Sequence, residues 1–430
     1  MNKDIFNSKE YKISRGAYSA QNAVEYFIAL CATDAFLANL LTHIGISDSL
    51  IGIISSLISL SFMFQLISMY LVNKIKSAKR VVLICNGLSQ MLFMCLYILP
   101  FVPVPAEIKP ALVFVIVLMA YFLLYAANPI FYKWANSFVH PMLRAQYGAV
   151  KEIISLVGGV IFSLAVGYST DYFTATGNVE GGFMFTAIAI AILNVFNIVS
   201  ILLIKKDGHN SEASDDTVPF IEVFKQLLGN KAFLSVVLVT MLAQMAQYTT
   251  IGFMGVYKTK DLMISVGFVQ IISFIGVGAR VLASTPFGRY ADRRSFAVAM
   301  KWAAVIMAVA YFVNMFTTPE RWYMVIAFTI IQSIGMAGYN ANAMNIVYSY
   351  VDSRYIVQAM AIKNSICGIC GFLAALGAGR LLAYIQSNGN TFLELNLYGQ
   401  QVLSSISFLL YVIMAVIIKL VLQKQAIRKQ

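Results

Sequence analysis

Charge is what this sequence lacks most. Of its 430 residues only 12% are charged, about half the share of a typical soluble domain, while 60% are hydrophobic. A water-soluble chain of this length needs charged residues to cover the surfaces of its domains. Soluble enzymes, disordered chains and nucleic-acid-binding proteins are therefore disfavoured. The net charge of +12 is expected to set orientation in a membrane instead of binding polyanions.

Histidine and cysteine are also scarce, with three and five residues respectively. The histidines are scattered along the chain, and the cysteines all fall in apolar stretches. Cys367 and Cys370 match the CxxC pattern, but an apolar, glycine-rich helix favours packing over redox or metal chemistry at this place. The sequence therefore predicts no metal site and no other cofactor.

Long apolar runs, in contrast, follow one another along the whole chain. A bilayer core requires about 20 apolar residues per helix, and runs of that length favour helices over the shorter, alternating strands of a barrel. The predicted spans are 19–41, 49–72, 81–101, 111–133, 147–170, 181–204, 231–256, 263–286, 296–316, 322–349, 356–385 and 401–422. Eight of the nine prolines fall at span ends or in loops; Pro129 lies inside a span and is expected to kink it.

Lysine and arginine mark one side of the predicted membrane. With both termini in the cytoplasm, 25 of the 31 basic residues lie in cytoplasmic segments or at cytoplasmic span ends. Four lie outside, and two, Arg280 and Arg380, lie within spans. The positive-inside rule therefore predicts a multi-pass protein of the plasma membrane with both termini cytoplasmic.

A polar stretch over 205–219, followed by a short amphipathic segment, divides the spans into two sets of six. We predict an all-α membrane protein with two pseudo-symmetric six-helix bundles. Its N-terminal bundle, cytoplasmic connection and C-terminal bundle cover 1–204, 205–230 and 231–430. A weak internal repeat supports the division, because an offset of 210 aligns Gly158 with Gly368 and an offset of 215 aligns Gly52 with Gly267.

The sharpest local motif follows the eighth predicted span. Gly288, Asp292 and Arg293 belong to the sequence GRYADRR, in a predicted cytoplasmic loop. Twelve spans in a six-plus-six arrangement, a basic central connection and this motif resemble the major facilitator superfamily. The segment 134–159, which contains Arg144, is also similar to that family. The resemblance covers nearly the whole chain by architecture, whereas the sharp motif match covers about eight residues.

The resemblance implies a solute transporter that works by alternating access. It also implies a central cavity lined mainly by spans one, four, seven and ten. The residues to which it assigns a gating role are Gly288, Asp292, Arg293, Arg144 and Arg354. The alternative interpretation of Asp292 is a loop charge that anchors the topology.

Charges inside the predicted spans are few, and each is costly enough to be a functional candidate. The first span carries Glu25 and Asp34, and the eighth carries Arg280. At 1.5 Å per residue, Glu25 and Arg280 lie ~10 Å and ~9 Å from the cytoplasmic ends of their helices, so a pair is predicted. In an ideal helix Asp34 points half a turn away from Glu25. Glu25 or Asp34 is predicted to carry a coupled proton; the alternative is an interfacial Glu25 and a snorkelling Arg280.

The predicted cavity-lining spans are rich in amides and phenols. The candidate solute-binding residues are Tyr125, Asn128, Gln244, Gln247, Tyr248, Gln332, Tyr339, Asn342 and Asn345. Such groups suit a polar, sugar-like solute, although hydrogen bonding between helices explains them equally well. Lys133, Lys151 and Arg380, by contrast, are interpreted as snorkelling anchors.

Together these features predict a secondary transporter for a small organic solute, coupled to protons, with a sugar-like solute slightly favoured. An exporter of lipophilic cations is the alternative within transport, since acids in the first span and many aromatic residues suit such cations. A membrane enzyme is a less favoured alternative, because it would need a nucleophile–base set or an acidic metal cluster. A sensor is also less favoured, because a sensor usually carries a soluble output domain. The predicted partners are the solute, protons and the lipid bilayer, with no nucleic acid, and the chain is expected to be a monomer.

Overall fold

Helices make up almost all of the protein that the computed structural model describes, which is residues 9–67, 75, 77–135, 137–139, 144–205, 220–343, 345–351, 355–392 and 394–424. Within those residues, eleven segments are long and apolar enough to cross a bilayer. A bent helix pair near the N-terminus brings the number of candidate spans to twelve. The predicted all-α membrane fold is confirmed.

The helix bounds follow the predicted spans closely. In the first half the helices are α1 (Lys9–Cys31), α2 (Asp34–His43), α3 (Asp48–Ser55), α4 (Leu57–Ser61), α5 (Ala78–Ile98), α6 (Lys109–Ala135), α7 (Arg144–Ala175) and α8 (Val179–Leu203). In the second half they are α9 (Phe220–Gly229), α10 (Lys231–Val256), α11 (Val266–Arg293), α12 (Phe296–Asn314), α13 (Met324–Ala343), α14 (Asn345–Tyr348), α15 (Ile356–Ser387) and α16 (Gly399–Leu420). Strands β1 (Thr391–Phe392) and β2 (Leu395–Asn396) pair antiparallel before α16.

The chain divides into two compact units, and each unit takes one segment from the other half of the sequence. The first contains the described residues of Met1–Ile46, Phe64–Asp216 and Ser265–Gln270; the second contains those of Ser47–Met63, Thr217–Ile264 and Ile271–Gln430. The two exchanged segments carry Gly52 and Gly267, which the repeat offset of 215 aligns. Neither unit is a continuous half of the chain, so the division at 205–230 stays a prediction.

The first span is broken, although the sequence predicted one continuous helix over 19–41. The axes of α1 and α2 meet at 44°. The Thr33 hydroxyl contributes to the break, because it donates to the carbonyls of Ala29 and Leu30 at 3.2 and 3.1 Å. Asp34 then adopts φ +45°, a left-handed conformation that an L-residue takes only at a cost. The prediction was wrong here because the length of an apolar run does not show where a side-chain hydroxyl bonds to backbone carbonyls.

The eighth span is longer than predicted. Helix α11 continues through Pro286 to Arg293, although the sequence placed its end at residue 286 and a loop after it. The GRYADRR motif therefore begins on the last turns of a helix. A methyl group added at Gly288 would meet nothing within 4 Å in the described part of the chain, so this glycine provides no close helix contact there.

Two glycines of α15 bring this helix close to α4. The Ser59 hydroxyl donates to the Gly368 carbonyl at 3.0 Å, and a Cβ at Gly368 would overlap the Ser59 carbonyl oxygen. A Cβ at Gly371 would lie 2.6 Å from the Ser59 hydroxyl oxygen. These contacts show that α15 and α4 pack closely at the two glycines.

We expect Gly368→Ala to destabilise the protein more than Gly377→Ala, although both change a glycine of α15 into alanine. The Ser59 backbone blocks the new methyl group at position 368, whereas a Cβ at Gly377 meets nothing within 4 Å among the described residues. Overpacking of this kind costs about 1–3 kcal/mol. Thermal unfolding of the two purified variants checks this. Equal melting midpoints would show that the contact between α15 and α4 is not tight.

Candidate functional site

A polar cluster in the first unit surrounds Glu25 of α1. Gln21 Nε2 and Asn86 Nδ2 both donate to the same carboxylate oxygen, Oε2, at 2.7 and 2.9 Å. Both amide side chains are buried and Glu25 is half-buried. The second carboxylate oxygen, Oε1, accepts no hydrogen bond from the described residues. One oxygen is therefore fixed by two amides while the other remains available to a proton.

The cluster continues from α5 into α8. Asn197 Nδ2 donates to Asn86 Oδ1 at 3.1 Å, and Asn194 Nδ2 donates to the Gly87 carbonyl at 3.1 Å. Because Asn86 Oδ1 already accepts from Asn197, the Asn86 amide turns its N–H group toward Glu25. This orientation suits an ionised carboxylate, which accepts hydrogen bonds only.

Lys151 of α7 is a functional candidate that the sequence interpretation missed. Its Nζ donates to the Tyr18 hydroxyl at 3.2 Å and lies 4.5 Å from the centroid of the Tyr18 ring. Its charge also interacts with the charge of Glu25. Lys151 is half-buried, and its Nζ lies 5.9 Å from the centroid of the Tyr132 ring as well. Its depth was no signal in the sequence, since it lies only four residues into the predicted span 147–170.

The other two charged candidates lie in different surroundings. Asp34 is half-buried at the first position of α2. The half-turn relation between Glu25 and Asp34 assumed one ideal helix, and the break between α1 and α2 removes that assumption. Arg280 is half-buried on α11, in the second unit. Because Glu25 belongs to the first unit, the pair of Glu25 with Arg280 stays a prediction.

Tyr125 and Asn128 lie on α6 in the first unit, and both are half-buried. The Tyr125 ring centroid is 6.3 Å from that of the buried Tyr121, at 45° between the planes. The Tyr125 ring therefore lies beside a second tyrosine ring of the same helix.

In the second unit, three candidates lie on α10. Tyr248 is buried and its hydroxyl interacts with the Ser59 side chain, while Gln244 and Gln247 are half-buried. The absence of a side chain at Gly371 leaves the space that the Tyr248 ring occupies. Tyr248 therefore contacts a neighbouring helix, which agrees with the alternative interpretation, and the solute-binding roles of Tyr248, Gln244 and Gln247 stay predictions.

The predicted polar stripe on the tenth span is divided by the end of a helix. Tyr339 and Asn342 lie on α13, which ends at Ala343, while Asn345 begins α14. Asn342 is buried and donates to the Gly338 carbonyl at 2.7 Å, whereas Asn345 is exposed. The three residues therefore do not form one uniform surface. Gln332, closer to the N-terminus of α13, is half-buried beside Tyr311.

Lys363 of α15 is a buried cation at the end of α13. Only 7% of it is exposed, and its Nζ reaches the Ala343 carbonyl at 3.5 Å. Among the described residues no carboxylate lies within 4 Å of this ammonium. The neighbouring Asn342 Oδ1 is also buried and accepts no hydrogen bond from the same described residues. The ammonium thus reaches the carbonyl of the residue that follows Asn342 in the sequence.

The residues with a predicted gating role are described only in part. Arg293 is exposed at the end of α11 and Gly288 is helical. Asp292 and Arg144 occupy helical positions, but their side chains lie outside the described part of the structure, as does the whole of Arg354. Their gating role stays a prediction.

Multiple candidate spans and polar or charged clusters buried inside two helical units are typical of secondary transporters. The profile of the Major Facilitator Superfamily matches residues 25–375, with a second match over 236–425. The chain belongs to this family. It is a multi-pass membrane protein and a transporter of small molecules, in agreement with the class predicted from the sequence.

Solved structures with the same fold include several transporters. A point mutant of the nucleoside transporter NupG is 16% identical, with a TM-score of 0.71, and the match covers 94% of this chain and 99% of that one. A bacterial homologue of the human lysosomal transporter Spinster, inward-facing and unoccupied, is 15% identical, with a TM-score of 0.73, covering 97% and 98%. At these identities the likeness establishes the fold alone. No curated protein is a significant match in sequence.

Proposed function

We propose that the protein is a proton-coupled secondary transporter of the plasma membrane. It acts as a monomer with both termini in the cytoplasm and moves a small polar organic solute by alternating access. The observation that carries the coupling is the asymmetry of the Glu25 carboxylate. Its Oε2 is held by two amides, while its Oε1 accepts no bond from the described residues.

Protonation of Glu25 changes the charge balance inside the first unit. The charges of an ionised Glu25 and Lys151 attract each other, so they partly compensate in a medium where an isolated charge is costly. A proton on Oε1 removes the negative charge, leaves the amide bonds to Oε2 in place and leaves Glu152 as the acid that still attracts Lys151. If the solute, or one conformational state, is favoured by one protonation state of Glu25, then proton binding shifts solute binding or the conformational equilibrium.

The polar side chains favour a hydrogen-bonding solute. Gln244, Gln247 and Gln332 are half-buried amides, which donate and accept without carrying charge. They suit the hydroxyl groups of a sugar-like solute, including the ribose of a nucleoside, the solute named for NupG. A lipophilic cation, the alternative solute, is disfavoured because the buried ammonium of Lys363 has no carboxylate within 4 Å among the described residues.

A second candidate is a polar solute that also carries a negative charge, such as a sugar acid. The buried Lys363 favours it, since the ammonium has only a weak carbonyl partner among the described residues. An anionic group on the solute would compensate this charge.

A thermal-unfolding screen of purified protein at two pH values tests the proposal. The panel contains neutral sugars, nucleosides, sugar acids and lipophilic cations. A solute present at 100 times its Kd raises the free energy of unfolding by about 2.7 kcal/mol. We expect such stabilisation from a neutral or anionic polar solute, and we expect its size to change with pH. Stabilisation by lipophilic cations alone would contradict the proposed substrate class.

A further inference from the structure

A long groove lies between α12 and α16, away from the polar clusters. Its volume is about 540 Å³. Its lining is apolar except for two lysines, one in the first turns of α12 and one in the last turn of α16. The small side chains of Ala308 and Ala415 leave this space open, while Val309 and Val416 beside them are 46% and 48% exposed. The groove is therefore open toward the surroundings of the span, where lipid lies in a membrane.

Positive charge is confined to one end of the groove. Lys301 is the sixth residue of α12 and Lys419 is the penultimate residue of α16, and both line the groove. Among the described residues, no acidic side chain lines it. The Lys301 Nζ lies 5.0 Å from the ring of the exposed Trp302. Tryptophan and lysine together are typical of the level of the lipid headgroups.

Aromatic rings close the other end. The ring centroids of Phe312 and Phe408 are 5.7 Å apart. Phe312 follows Lys301 by eleven residues, and Phe408 precedes Lys419 by eleven, so each side of the groove is ~16 Å long. That length is about half of a ~30 Å hydrocarbon core. The groove thus extends from the headgroups to the bilayer midplane, the length of one leaflet.

We propose that this groove binds one anionic phospholipid. Its phosphate lies between Lys301 and Lys419, and one acyl chain follows the apolar wall to Phe312 and Phe408. In the proposed orientation this is a lipid of the cytoplasmic leaflet, where basic pockets between spans bind anionic headgroups. Two lysines without an acid in the described lining match an anionic headgroup, whereas a packed apolar helix from a second chain would leave both charges without a counter-ion.

Thermal unfolding in detergent, with phosphatidylglycerol or phosphatidylcholine of identical acyl chains added, tests the proposal without any transported solute. We expect wild-type protein to prefer phosphatidylglycerol by about tenfold or more in apparent affinity, from two lysine contacts. Lys301→Gln with Lys419→Gln should abolish the preference. The matched control, Lys205→Gln with Lys231→Gln, removes two basic residues outside the groove and should retain it.

A second variant separates the groove from simple charge attraction. Ala415→Phe fills the apolar wall and leaves both lysines, and we expect it to weaken phosphatidylglycerol binding. Equal stabilisation by both lipids, an unchanged preference in the double lysine variant, or equal stabilisation by glycerol 3-phosphate alone would overturn the proposal. So would a concentration-dependent dimer that Ala415→Phe dissociates, because the groove would then hold a second chain.

Discussion

Replacement of Glu25 by glutamine is expected to abolish uphill accumulation of the solute driven by a pH gradient. Glutamine is similar in size and still offers an oxygen to the Gln21 and Asn86 amides, but it cannot bind and release a proton in the physiological range. Exchange of solute across the membrane without a gradient should continue, because that reaction needs no net proton transfer. Uptake by reconstituted vesicles, with and without an imposed pH gradient, measures both activities.

Two variants make this experiment selective. Glu180→Gln removes an exposed acid from the same unit and should leave gradient-driven uptake unchanged. Asp34→Asn tests the second acid of the first span, which lies beyond the helix break. If Glu25→Gln and Asp34→Asn both accumulate solute as the wild type does, neither acid carries the coupled proton.

The second large effect is expected at Lys363. Its replacement by methionine should lower kcat/KM for an anionic solute by about 10–150-fold, because a hydrogen bond to a charged group contributes about 1.5–3 kcal/mol. The same variant should be as thermally stable as the wild type or more stable. Burial of the ammonium is costly, and in the described structure it has only the Ala343 carbonyl at 3.5 Å as a hydrogen-bond partner.

This combination distinguishes a solute-binding lysine from a structural one. If Lys363 mainly holds the end of α13, its replacement will lower the melting midpoint and reduce transport of neutral and anionic solutes alike. Lys231→Met removes an exposed lysine of the second unit and is the control. Unchanged transport of an anionic solute by Lys363→Met would remove Lys363 from the binding site.

The sequence predicted the spans well because length and apolar content decide whether a helix can cross a bilayer. It did not predict the break after Cys31, which depends on a threonine hydroxyl bond and on a left-handed Asp34. Nor did it predict that α11 continues through Pro286. Proline disfavours helix interiors, but membrane helices tolerate it where the freed backbone groups find other partners.

The sequence was enough to recognise the charged residues of the candidate site, but not to find the residues that contact them. Glu25 was recognisable as an acid inside a span, yet its amide donors come from residues that the sequence did not connect with it, above all Asn86 on α5. Lys151 was dismissed because lysine near a span end often reaches the membrane surface. Only the packing of α1 against α7 shows that its ammonium lies over Tyr18.

Proton movement that accompanies solute uptake tests the central claim most directly. Vesicles with reconstituted protein and an internal pH-sensitive dye are mixed with a solute identified by the thermal screen, without an imposed pH gradient. Proton coupling through Glu25 predicts a solute-dependent change of internal pH in the wild type and none in Glu25→Gln, although both take up solute down its gradient. Solute uptake by the wild type without a change of internal pH, or an equal change in Glu25→Gln, would contradict it.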